Sequence, residues 1–147
     1  MNRPKFTVDV WHRLDLLRWS LRANGLFSIT SGLVFTVFAA AVTDRIGLPD
    51  PRIVGWVGLN LLGFAAFLFW VSSRPAIHLP TAMAIVYMDL AWAAGTVPLV
   101  AAGWLSEFGN AAAIAIADGV LTFALLQWLG VRRERRGLQA NALASST

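Results

Sequence analysis

Four uninterrupted apolar stretches, over residues 23–42, 53–72, 80–100 and 110–131, fill most of this 147-residue chain. A helix rises about 1.5 Å per residue, so about twenty residues match the hydrocarbon core of a bilayer, about 30 Å thick. The pattern predicts an all-α integral membrane protein whose four antiparallel transmembrane helices form an up-down bundle. Only 14% of the residues are charged, where a soluble domain of this size carries about a quarter. A chain of this kind keeps its chemistry inside the bundle, in short loops, or in a partner.

The charges give the orientation. Arg3, Lys5, Arg13, Arg18 and Arg22 precede the first stretch, Arg74 lies between the second and third, and Arg132, Arg133, Arg135 and Arg136 follow the fourth. Ten of the twelve basic residues thus fall on one side, leaving Arg45 and Arg52 near Asp44 and Asp50 in the first loop. The bias predicts both termini and the middle loop in the cytoplasm of a cell whose inner (plasma) membrane holds the protein. Trp56 and Trp104 belong at the outer boundary, and Trp19, Trp70 and Trp128 at the inner one. With the basic residues so placed, the net charge of +4 is no sign of nucleic acid; the expected surroundings are lipid and a membrane-protein partner or a second copy. Lys5 is the only lysine among those basic residues, a bias that fits a GC-rich bacterial genome.

Outside the spans there is little chain. In residues 8–22, Val10, Leu14, Leu17 and Leu21 recur at helical spacing while Arg13, Arg18 and Arg22 fall mostly elsewhere, as in a short interfacial amphipathic helix that anchors the N-terminal segment, 1–22. The transmembrane domain covers 23–131. Residues 132–147 read as a basic stretch and then a small, polar, disordered tail. Pro80 is placed to open the third helix, and Pro98 to bend its outer half. A shift of 58 residues lays the first hairpin on the second and matches Ala66 with Ala124, Leu68 with Leu126, Trp70 with Trp128 and Arg74 with Arg132. Apolar helices ending in Trp and Arg match in this way by the topology rules alone.

Asp89 and Asp118 stand near the midpoints of the third and fourth stretches, and Ser31 and Asn60 near those of the first and second. A carboxylate at the bilayer centre costs about 2.5–3.5 kcal/mol on insertion scales, so it is expected to face protein or water. The four positions would form a polar layer at one depth if all point inward. Thr122, one turn beyond Asp118, and Trp92, close to Asp89, complete the candidate proton, ion or ligand site. Asn24, Ser28 and Ser31 share one face of the first helix, and Gln127 reads as a helix-end or interhelical contact.

No catalytic constellation is legible. The chain has no cysteine, which excludes thiolate chemistry and Cys-ligated metals. His12 and His78 flank the spans rather than sit in them, and no metalloprotease, phosphate-loop or triad pattern occurs. Neither cofactor nor metal is expected. The leading expectation is a non-enzymatic accessory or assembly subunit that packs against other membrane helices, using small-residue rows such as Ser28, Gly32, Thr36 and Ala40. The alternative is a small proton- or cation-coupled transporter in which Asp89 and Asp118 titrate around a midplane cavity.

Overall fold

The computed structural model describes residues 6–145, with side chains from Leu16 onward. Among the described residues all regular structure is helical, in the order α1 (Phe6–Val37), α2 (Ala39–Ile46), α3 (Pro51–Ser73), α4 (Leu79–Ala101) and α5 (Glu107–Ala144). Three helices, α3, α4 and α5, are each long and apolar enough to cross a membrane, and α1 with α2 makes a fourth only if that bent pair counts as one span.

The first span departs from the expected straight helix over 23–42. α1 ends at Val37, the chain turns at Phe38, and α2 leaves at 93°. No proline or glycine causes this bend. Backbone bonds continue through it, from the Phe38 amide to the Val34 carbonyl and from the Val42 amide to the Phe38 carbonyl, each 2.9 Å. The bend is held from the far end. Gly47 closes α2 with a φ of 83°, a left-handed conformation that glycine adopts without a Cβ penalty. Ser106 then clamps this end: its amide donates to the Ile46 carbonyl at 2.8 Å and its hydroxyl to the Arg45 carbonyl at 2.7 Å.

The N-terminal segment also differs from expectation. No break separates an interfacial helix from the first span, because α1 runs unbroken from Phe6. Val10, Leu14, His12 and Arg13 lie outside the described side chains. Leu17 and Leu21, expected on an interfacial face, are fully buried in the core. At the other end, residues 132–147 were expected to include a disordered tail, but α5 continues to Ala144. Leu, Gln, Arg and Ala, all good helix formers, propagate the preceding turn.

Local sequence explains the remaining helix starts. Asp50 caps α3 by accepting from the Arg52 amide at 2.8 Å, with Pro51 at the first turn, where its missing N–H costs nothing. Ser106 caps α5 by accepting from the Gly109 amide at 3.0 Å. Pro80 lies in the first turn of α4, and α4 continues through Pro98 to Ala101.

α1 packs along α3 and against α5, and α4 packs along α5; α3 and α4, consecutive in sequence, are not packed along each other. The core lies at the end carrying the arginines. There Leu17, Leu21, Leu68, Val71, Ile77, Ala82, Ile85 and Val131 form one buried cluster drawn from all four long helices and the α3–α4 turn. Arg18 ties this end together, donating to the carbonyls of Ser72 and, at 3.3 Å, of Pro75. These are C-terminal groups of α3 and its turn, which no helical amide satisfies. Beyond the core, toward α2, the helices part and leave a cavity.

Candidate functional site

The cavity is about 310 Å³ in volume, and all four long helices line it. α1 contributes Asn24, Ser28 and Ser31, each about one turn after the last along one face. α3 contributes Asn60, and α4 contributes Asp89 and Trp92. Most of the remaining wall is apolar, including the rings of Phe27, Phe35 and Phe64.

Asp89 is the centre of the polar network and is 3% exposed. Asn24 Nδ2 donates to Asp89 Oδ2 at 2.8 Å, and Ser28 Oγ donates to Asn24 Oδ1 at 3.5 Å. All three residues are buried, so a short chain of donors runs along α1 and ends on the α4 carboxyl. Such a bond is worth most where water is absent, because a buried polar group without a partner carries its full desolvation cost. It is also the polar link from α4 to α1, which otherwise meet mainly through α5.

Gln127 of α5 stands beside Asp89 and is completely buried. Neither Oε1 nor Nε2 reaches a partner at hydrogen-bonding geometry, so the proximity is real while the bond is not made. Gln127 belongs to the buried stripe Val120, Ala124, Gln127 and Val131 of α5, which is the helical repeat of a core-facing side.

The structure brings Ser31, Asn60, Asp89 and Trp92 together and leaves Asp118 and Thr122 out. Ser31 is half-buried at the cavity wall. Asn60 is exposed and turns its amide back onto its own helix, Nδ2 donating to the Trp56 carbonyl at 2.8 Å. Asp118 is exposed and lines a different groove, between α4 and α5, with Ala93, Thr96 and Val97. Thr122 is exposed as well, its hydroxyl donating to the Asp118 carbonyl at 3.0 Å. A single polar layer of Ser31, Asn60, Asp89 and Asp118 is therefore not formed, and the two carboxyl groups do not share a site.

Asn24, which holds Asp89, and Gln127, which stands beside it, are not among the candidate site residues that the sequence suggests. A sequence signal existed for both. Asn24 leads the polar face of α1, and Gln127 follows Asp118 by nine residues, which at about 100° per residue is two and a half turns. One of that pair must face away when the other faces the core.

Among the described residues, no group of three or more His, Asp or Glu side chains is arranged to hold a metal ion. His78 is exposed at the α4 start, its Nδ1 3.0 Å from Thr81 Oγ1. No family model, curated protein or solved structure matches this chain.

Proposed function

We propose that this chain is a four-pass protein of a bacterial inner membrane, with both termini cytoplasmic, that acts without catalysis as an accessory or assembly subunit. Asp118 carries this reading. It stands exposed in the α4–α5 groove among Ala93, Val97, Val100, Ala117 and Leu121. At bilayer depth a carboxyl facing lipid costs about 2.5–3.5 kcal/mol, and a neighbouring helix that brings a donor or a cation removes that cost. The small residues of the groove suit such an approach, since close backbone contact drives helix association where hydrophobic burial cannot.

Native-level expression and purification in mild detergent tests the proposal. A defined membrane partner should co-purify with the wild type and be lost from Asp118→Leu, while that variant keeps the wild-type melting temperature. A clean monomer that catalyses substrate flux in liposomes would overturn it. Topology is checked separately by reporter fusions at Gly47, Ala76, Ser106 and Thr147, which should read outside, inside, outside and inside. A cytoplasmic signal at Gly47 would end the four-pass reading.

A second reading is favoured by a different observation, the Asn24–Asp89 bond at the wall of the cavity. It makes the protein a small proton- or cation-coupled carrier in which Asp89 exchanges its proton for a solute. Asp89→Asn would then give a folded protein without flux. Wild-type flux in that variant would end the carrier reading.

A further inference from the structure

We infer that the cavity around Asp89 is a binding site for a lipophilic organic cation, an ammonium group carried on an aromatic or short alkyl body. The inference rests on the second reading above, that this cavity receives a solute. Its volume of about 310 Å³ lies at the small end of ligand pockets, which run from about 300 to 1,000 Å³. Among the described residues, Asp89 is the only ionisable one in its wall. Once its proton is exchanged, Asp89 gives the wall one negative charge, with no basic group among the described residues of the wall to neutralise it. An anion would meet that carboxylate without compensation.

The rest of the wall selects the body of the guest. Phe27, Phe35, Phe64 and Trp92 all contribute to it, and aromatic faces attract cations most strongly where water is excluded. A purely apolar guest, such as an acyl chain, would leave the Asp89 carboxyl and the Ser31 hydroxyl at the wall against hydrocarbon. A small inorganic cation would need several oxygen ligands in a closed shell. Of the oxygens here, that of Asn24 already accepts from Ser28. A cation with an apolar body satisfies both halves of the wall.

The test uses the full chain in a non-ionic maltoside micelle, with benzyltrimethylammonium as the cation and neopentylbenzene as its uncharged isostere, both measured by calorimetric titration. Saturable binding with one site per chain is expected, the cation binding at least about tenfold tighter than the isostere. Asp89→Asn should bring the cation down to the affinity of the isostere and leave the isostere unchanged. Ser31→Phe, which puts a ring into the cavity from α1 and keeps the Asp89 carboxyl, should abolish both, so the outcome does not hang on one variant folding. Asp44→Asn, exposed and outside the cavity, should bind as wild type. Equal affinity for cation and isostere, a wild-type preference in Asp89→Asn, or undiminished binding in Ser31→Phe would each overturn the inference. Binding without flux in liposomes would remove the carrier reading and leave the binding site standing.

Discussion

The two hairpins, α1 with α3 and α4 with α5, correspond by a shift of 58 residues and are held together by different means. In the first, glycine meets glycine. A Cβ on Gly32 would lie 2.9 Å from the Gly58 carbonyl oxygen, and one on Gly58 would lie 2.5 Å from Thr36 Oγ1 and 2.7 Å from the Thr36 amide nitrogen. The backbones of α1 and α3 are in contact there, as small residues permit in membrane helices. In the second hairpin the corresponding positions are Leu90 and Ile116. The groove lined by Asp118 opens in the same half of that hairpin.

The matched positions confirm that the likeness stops at the arginine end. Arg74 stacks on Trp70 at 4.2 Å and Arg132 on Trp128 at 4.4 Å, so the two terminal pairs agree. Further in, Ala66 is exposed while Ala124 is buried, and Leu68 is fully buried while Leu126 is only half so. One hairpin is a closed unit. In the other, α4 packs along α5 with an open groove beside Asp118, and the middle of α4 is tied to α1, across the two hairpins, by the Asn24–Asp89 bond.

The comparison breaks most directly at Gly58. Gly58→Leu should destabilise the protein by about 2–4 kcal/mol, since the added atoms meet backbone that cannot move aside without parting α1 from α3. Reversible unfolding in mixed micelles reads this loss. A change below about 1 kcal/mol would mean that the close crossing is not what holds the first hairpin.

Asn24→Leu sharpens the contrast from the other side. It removes the donor to Asp89 and leaves a buried carboxyl unsatisfied, at a cost of about 1–3 kcal/mol. Asp89→Leu in the same background should recover most of that loss, because replacing both partners by apolar groups removes the orphan. A double variant as unstable as Asn24→Leu alone would show that this bond does not fasten α4.

Much of this architecture can be read from sequence, and the missing part has one physical cause. Hydropathy locates α3, α4 and the membrane-length part of α5, and Asp50, Pro51 and Ser106 mark helix starts by their capping chemistry. Asp89 is recognisable as an interior residue because a buried charge needs a partner. Helix rotation is harder, since in a helix apolar on every side the outward face and the face toward the rest of the protein are chemically alike. That is why Asp118 could be assigned inward with Asp89, although the burial of Gln127 turns it out. The bend at Phe38 was hidden for a related reason. Ser106 holds Ile46 at the far end of α2 across a separation of 60 residues, and no local breaker marks the bend.

Arg18 tests the end where both hairpins agree. Its guanidinium donates to the carbonyls of Ser72 and Pro75, across a separation that ties α1 to the end of α3. Arg18→Gln should cost about 1 kcal/mol, the scale of a helix-end hydrogen bond with a charged donor at partial exposure. The loss should shrink in high salt, as a screened interaction does. A salt-independent loss would assign the effect to packing of the side-chain stem.

The smallest expected effect lies at Gly95 of α4, whose environment is the opposite of that at Gly58. A Cβ added to Gly95 meets nothing within 4 Å, although both glycines occupy the middle of long apolar helices. Gly95→Leu should therefore leave stability within about 0.5 kcal/mol of wild type, or raise it slightly, because a glycine in a helix interior is disfavoured by about 1 kcal/mol relative to alanine. Measured beside Gly58→Leu under the same conditions, it separates space from helix propensity, since the new side chain is identical and only the neighbour differs. If both variants lose stability equally, the difference between the hairpins is not one of backbone contact, and α4 must be covered in the folded protein by something that the Gly95 face touches.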